Sequence, residues 1–350
     1  MSASHASPRV LVVDDSALFR KLIGSALRSL PGVEVVGEAA DGSEALELVS
    51  ALKPDVMTLD VEMPVLDGLG VLQQLRERSI DLRVIMVSTM THAGTETTVR
   101  ALCLGASDFL LKPKANSQSE ALEYLRAEFG RKLAALCPAP AAVSTQPRCA
   151  VRPSKTPEIL GIGVSTGGPK ALHTLFRDLP SDFPLPILVA QHMPAGFTDS
   201  LARSLDEASS IKVSEARSGM RLEPGVALIA PGGHHLEVAS GSENVFARVT
   251  ESPPELCCRP SANVLLRSLA KHYGPATMGL IMTGIGEDGL DGCRTIVDRG
   301  GTVFAQDESS STVFGMPKCV IDAGLVHRVC SLEGLGWTLS ELMKEYHATS

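Results

Sequence analysis

Aromatic residues are scarce in this sequence. They make up 4% of 350 residues, with a single tryptophan, so any core must be aliphatic. No apolar run reaches the roughly 20 residues that span a bilayer, and no membrane insertion is expected. Residues 1–9 hold no apolar segment of the kind that marks a secretory signal, so a cytoplasmic protein is expected. Positive charge is not in excess either. The net charge of -8 argues against nucleic-acid binding. The eight cysteines show no Cys-x-x-Cys spacing; Cys257 and Cys258 are adjacent and the rest are scattered. That pattern fits free thiols in a reducing compartment better than disulfides or a structural zinc. What remains is ordinary for a globular chain, 44% hydrophobic and 21% charged, and its length suggests two domains.

The first third alternates short apolar runs with helical patterns. Strands are expected at 9–13, 33–37, 56–59, 84–87 and 109–111, and helices at 17–30 and 43–52, the latter with Ser43 as a plausible cap. Alternation of this kind builds a parallel, doubly wound sheet, which presents its chemistry at the carboxyl ends of the strands. Asp14, Asp15, Asp60, Ser88 and Lys112 all fall there. Clustered carboxylates repel one another unless a cation sits among them, and a hard ion such as Mg²⁺ suits oxygen donors. Asp60 is then placed to act as a nucleophile toward a phosphoryl group, with Lys112 neutralising the phosphate.

This constellation resembles the receiver domain of bacterial response regulators. The resemblance rests on Asp14-Asp15, on Asp60 followed by Met63-Pro64 and Asp67-Gly68, and on Ser88, Phe109 and Lys112-Pro113. It implies Asp60 as phosphoacceptor and a histidine kinase as phosphodonor. It implies Mg²⁺ held by Asp14, Asp15, Asp60 and the carbonyl of Glu62. Ser88, Phe109 and Lys112 take the switch and phosphate positions, with Phe109 where Tyr is more frequent, and the Lys-Pro bond is commonly cis. A helix at 124–136 leads into a stretch rich in Pro, Ala, Ser and Thr, which reads as a semi-extended linker.

The second half repeats the α/β pattern, with strands at 161–164, 186–191 and 277–283, shorter ones at 226–230, 236–239, 245–249 and 302–305, and helices at 262–272 and 332–346. Residues 159–170 run from an apolar strand through Gly163-Val-Ser165-Thr-Gly167 into a helix, a Gly-x-Ser-x-Gly pattern that stands a hydroxyl at a sharp turn. Three strands end in Ser165, His192 and Asp288. Parallel strand ends share one sheet edge, so these groups suit a nucleophile, a base and an orienting carboxylate. The residues alone leave alternatives open. Asp288 also fits a helix N-cap, Asp291 offers a second carboxylate, and His234 or His235 offers a second base. A dinucleotide-binding reading of the glycine-rich turn fails on spacing, because Thr166 holds the place of the third glycine.

The segments around Ser165, around Gln191-His192-Met-Pro-Ala-Gly-Phe, Ala230-Pro-Gly-Gly, and Met282-Thr-Gly-Ile-Gly-Glu-Asp288-Gly are similar to the catalytic domain of chemotaxis protein-glutamate methylesterases. The resemblance implies Ser165 as nucleophile, His192 as base and acid, and Asp288 as orienting carboxylate. It places the backbone N–H groups of Thr166 and Ile285 in an oxyanion hole and calls for no cofactor there. Ile285 stands where Met is frequent and Val164 where Ala is.

The expected architecture is therefore α/β, with two doubly wound parallel-sheet domains: a flavodoxin-like receiver at 8–126, a helix exit and linker at 127–156, and an esterase domain at 157–347. The implied substrates are cytoplasmic domains of methyl-accepting chemoreceptors. The expected control is a receiver that covers the Ser165 cleft until Asp60 is phosphorylated. A monomer is the simpler expectation, and the alternative function is a response regulator with a non-catalytic binding output.

Overall fold

The computed structural model describes residues 7–115, 117–138, 155–241 and 244–348. Its Cα positions form two compact units, 1–143 and 144–350. In the first unit, β1 (Arg9–Val13), β2 (Glu34–Ala39), β3 (Val56–Asp60), β4 (Arg83–Ser88) and β5 (Asp108–Leu111) form a parallel sheet in the order β2-β1-β3-β4-β5. β1 and β3 are buried along nearly their whole length, as continuous apolar strands covered on both faces should be. Helices α1 (Ala17–Arg28), α2 (Gly42–Leu52), α3 (Gly68–Glu77), α4 (His92–Leu104) and α5 (Gln118–Leu136) connect or follow the strands.

Two sequence expectations shift here. Asp41, not Ser43, caps α2: its Oδ1 accepts from Ser43 N at 2.8 Å and Glu44 N at 3.0 Å, while Glu44 Oε2 accepts from Ala40 N in return. Helix α5 starts six residues earlier than the apolar period suggested, at Gln118 with Ser117 as cap, and runs unbroken past position 126. It packs on α1, and its Lys132 pairs with Asp108 of β5 at 2.8 Å in a nearly buried ion pair. Most of the linker segment lies outside the described residues.

The second unit is built on seven parallel strands in the order β14-β13-β12-β6-β7-β9-β8. These are β6 (Ile159–Val164), β7 (Ile187–Gln191), β8 (Lys212–Glu215), β9 (Val226–Ile229), β12 (Thr277–Ile281), β13 (Thr302–Gln306) and β14 (Arg328–Cys330). The strand at 236–239 and its neighbour leave the main sheet: β10 (His235–Ser240) and β11 (Val245–Thr250) pair antiparallel by themselves. The chain steps from β6 to β7 on one side and later returns to place β12 on the other, so the order reverses between β6 and β12. In doubly wound sheets the crevice at that reversal is the usual ligand site.

Helices α6 (Gly168–Arg177), α7 (Phe197–Ala208), α8 (Ala262–Tyr273), α9 (Leu290–Asp298), α10 (Met316–Asp322) and α11 (Leu332–Ala348) complete the unit. Helix α11 packs on α6 and leaves Trp337 64% exposed. Helix α8 lies close against β6 because β6 carries glycines. A Cβ at Gly161 would sit 2.5 Å from Leu269, and one at Gly163 would sit 2.6 Å from Ala262. Gly163 thus serves the approach of α8, whereas the sharp turn after Ser165 falls to Gly167, whose φ is +78°.

Candidate active site and phosphoacceptor site

In the second unit the ends of β6, β7 and β12 are tied together by backbone. Ser165 N donates to Thr283 O at 3.0 Å, and His192 N donates to Val164 O at 3.1 Å. Buried Gln191 links the two elements further: its Nε2 donates to Ser165 O at 3.0 Å and to His192 O at 3.3 Å. Ser165 is half-buried, and its hydroxyl makes no hydrogen bond within the described residues. His192 keeps 13% side-chain exposure and meets Asp288 Oδ2 through Nε2 at 2.7 Å. An ionised carboxylate only accepts, so Nε2 carries a proton, and in the neutral ring Nδ1 holds the lone pair.

Asp288 does cap a helix, but not its own. Helix α9 begins at Leu290, after Gly289 with φ +104°. The Asp288 carboxylate instead sits on the start of α8, accepting from Ala262 N at 2.7 Å, Asn263 N at 3.0 Å and Ser261 Oγ at 2.8 Å. Placing a negative charge at a helix N-terminus is favourable. Burial works to raise the Asp288 pKa, but His192 and then the backbone N–H groups of Asn263 and Ala262 outweigh it and hold the carboxyl below the ordinary carboxylate range. Burial works to lower the His192 pKa, but Asp288 and then Cys258 outweigh it and raise it to about 9.

The competing residues are accounted for. His235 is fully buried, with Nε2 near Pro253 O and Nδ1 accepting from Ser261 N, and His234 faces Glu251 at 3.4 Å. Asp291 pairs with Arg294 at the surface of α9. Of the two backbone donors expected to bind an oxyanion, the Ile285 N–H makes no hydrogen bond within the described residues. Thr166 is buried, and its carbonyl accepts from Thr283 Oγ1 at 2.9 Å.

One neighbour was not foreseen. Cys258 Sγ lies 3.6 Å from His192 Nδ1. Its partner is 66 residues away, and the adjacent Cys257-Cys258 carries no ligand spacing, so the sequence held no signal for it.

In the first unit, Asp14, Asp15 and Asp60 place carboxylate oxygens within 4.8 Å of one another. Lys112 Nζ reaches Asp60 Oδ2 at 2.6 Å and Asp14 Oδ2 at 2.8 Å, the latter as an ion pair without hydrogen-bond alignment. Asp14 Oδ2 is therefore a buried oxygen with no well-aligned hydrogen-bond donor among the described residues, and the donor set is all oxygen, which fits a hard divalent cation. Burial raises the Asp60 pKa to about 6, with Lys112 pulling it down and Asp14 pushing it up. Glu62 is exposed and lies just past the end of β3. Ser88 is fully buried and engaged by α4: it accepts from Thr98 Oγ1 at 2.8 Å and lies 3.4 Å from Gly94 O. Phe109 is half-buried. The Lys112–Pro113 bond is trans, contrary to expectation; among the described residues the cis bond is Arg259–Pro260.

Comparison with known proteins agrees with this layout. A family model described as CheB methylesterase matches residues 160–339, and one described as response regulator receiver domain matches 10–123. A protein-glutamate methylesterase/protein-glutamine glutaminase of Desulfotalea psychrophila is 39% identical, covering 97% of this chain and 99% of its own. A second, from Koribacter versatilis, is 44% identical over 93% of this chain and 94% of its own. This chain belongs to the CheB methylesterase family. The crystal structure of the Thermotoga maritima CheB methylesterase catalytic domain covers 54% of the chain and 100% of its own length, with 40% identity and a TM-score of 0.52. The methylesterase unit is thus the second one, and the receiver unit the first. No described helix is long and apolar enough to cross a membrane.

Proposed function

We propose that the chain hydrolyses glutamate γ-methyl esters on chemoreceptor cytoplasmic domains, deamidates selected receptor glutamines at the same site, and is controlled by phosphorylation of Asp60. The observation that carries the chemistry is the 2.7 Å bond from His192 Nε2 to Asp288, at the sheet edge where β6 ends beside Ser165. In this reading Ser165 Oγ attacks the ester carbonyl while its proton passes to His192 Nδ1. The backbone N–H groups of Thr166 and Ile285 receive the developing oxyanion. His192 returns the proton to the departing methanol. Water, deprotonated by the same nitrogen, then releases the carboxylate from Ser165.

Asp60 is the phosphoacceptor, and Lys112 balances the incoming charge. Asp14, Asp15, Asp60 and the Glu62 carbonyl would hold Mg²⁺, which neutralises phosphoryl oxygens when bound. A histidine kinase is the phosphodonor, and the cytoplasm is the compartment where kinase and receptor domains meet. A docking-only output would need no ordered serine–histidine–aspartate grouping, and the His192–Asp288 bond favours the esterase.

The test is methanol release from methylated receptor membranes, with and without Mg²⁺ and a small phosphodonor. Release that rises with phosphodonor and is lost in Ser165→Ala is expected. Equal release from Ser165→Ala would overturn the chemistry, and release indifferent to phosphodonor would overturn the control.

A further inference from the structure

The base of the proposed triad has a soft ligand on its free side. Cys258 Sγ stands 3.6 Å from His192 Nδ1, while Asp288 holds Nε2 at 2.7 Å. Donor atoms of His192, Cys258 and Asp288 all lie within 4.8 Å of one another. Zinc binds thiolate sulfur at about 2.3 Å and imidazole nitrogen at about 2.0–2.1 Å, so the S···N edge of a tetrahedral zinc site is about 3.6 Å. The thiol and the imidazole already stand at that edge. The carboxylate on the opposite ring nitrogen completes a carboxylate–histidine–metal arrangement, which fixes the tautomer and strengthens the ligand.

The placement of Cys258 is enforced rather than loose. Residues 255–258 form a tight turn in which Glu255 N donates to Cys258 O at 3.1 Å and Cys258 N donates to Glu255 O at 2.8 Å. Its central residues, Leu256 and Cys257, have φ of +49° and +61°. Side-chain-bearing residues other than Asn and Asp adopt that pair of conformations at a cost, and such strain persists only where surrounding structure holds it. Arg267 of α8 supplies the hold, gripping Glu255 with both guanidinium ends.

We infer that Cys258 Sγ and His192 Nδ1 form a binding site for Zn²⁺ or a similar borderline-soft divalent cation, with water in the remaining positions, and that the bound ion blocks the esterase. The metal displaces the thiol proton, together with the Nδ1 proton of the charged imidazole, to solvent and takes the lone pair that would otherwise accept the proton of Ser165. Binding itself does not depend on the proposed function; only the inhibition does. The receiver carboxylates, all oxygen, favour Mg²⁺ and do not compete for a thiolate-preferring ion.

The experiment uses the full reduced chain in saturating Mg²⁺. Co²⁺ is the probe, read by thiolate-to-cobalt charge-transfer absorption, and is then displaced by Zn²⁺. Wild type and Ser165→Ala are expected to give the band at one ion per chain and to lose it on adding Zn²⁺. Cys258→Ser and Cys258→Ala are expected to lack the band, and His192→Ala to bind more weakly. Should those variants misfold, zinc protection of Cys258 from iodoacetamide in the wild type, read by peptide mass, gives the same information. Absence of the band in wild type, its persistence in Cys258→Ser, or alkylation of Cys258 unaffected by zinc would overturn the site. A normal band together with full esterase activity in Ser165→Ala would sink the proposed function and leave the metal site standing.

Discussion

Replacing Asp288 by Asn tests whether one carboxylate both orients the base and seats a helix. Four donors converge on it. Ser261 Oγ and Asn263 N reach Oδ1, and His192 Nε2 and Ala262 N reach Oδ2, all at 2.7–3.0 Å. A carboxylate offers about four acceptor directions, whereas a carboxamide offers about two and adds two donors of its own. Either orientation of the carboxamide in Asp288→Asn therefore turns its NH₂ against two donors. Ser261 can rotate its hydroxyl and His192 can shift its proton to Nδ1, but a backbone N–H has no such freedom. One of Ala262 and Asn263 is left unsatisfied, at a cost of about 1–3 kcal/mol. Loss of the charge at the α8 N-terminus adds about 0.3–2 kcal/mol. A destabilisation of about 2–4 kcal/mol corresponds to a Tm drop of roughly 5–15 °C for a unit this size. The base loses the charge that stabilises its imidazolium, so kcat should fall by about 10³- to 10⁴-fold. Calorimetry of the full chain carries its own control, since the receiver unit holds none of these contacts and its transition should not move. Esterase activity within about tenfold of wild type, or an unchanged Tm of the methylesterase unit, would refute the four-donor argument.

Other outcomes follow from the same geometry. With the His192 pKa raised to about 9, kcat/KM should climb with pH and level off above about pH 9. The matching stability contribution is complete below about pH 6.5, the unfolded value, and is lost as pH rises through about 9, so the gap between the denaturant midpoints of wild type and Asp288→Asn should narrow at high pH to the part owed to the backbone donors. Gly168→Ala would set a Cβ 1.9 Å from Gln191 Oε1, displacing the side chain that ties Ser165 to His192. A stability loss of about 1–3 kcal/mol is expected, with kcat reduced more than KM is raised; parity with wild type in both would remove Gln191 from the positioning argument. Asp60→Asn should abolish phosphate incorporation from a small phosphodonor while leaving basal methanol release in place, and any incorporation by the variant would place the phosphoacceptor elsewhere.

Much of this was legible in the sequence because parallel sheets gather their chemistry at strand ends. Apolar runs stopping at Asp60, Lys112, Ser165 and His192 gave away both the strands and the groups at their tips. Contacts made across the fold were harder to read. Capping rules inspect the residues just before a helix, so they point to Ser261 ahead of α8 but not to Asp288, which arrives from another strand 26 residues later. Strand β8, four residues with polar members at the sheet edge, lacks the apolar run that betrays a central strand. The turn bearing Cys258 uses Leu and Cys where Asn-Gly would have signalled it, so neither the turn nor its contact with His192 was visible.

Trp337 gives the scarcity of aromatics a practical side. It is the chain's sole indole, it belongs to the methylesterase unit, and it is 64% exposed on α11. Its emission should match that of a solvated indole, and denaturation should then shift the spectrum little. Covering α11 would shift it to the blue. Excitation selective for tryptophan therefore makes a poor melting probe of this chain and a clean optical reporter of whatever comes to rest on that helix, with no second tryptophan to confuse the signal.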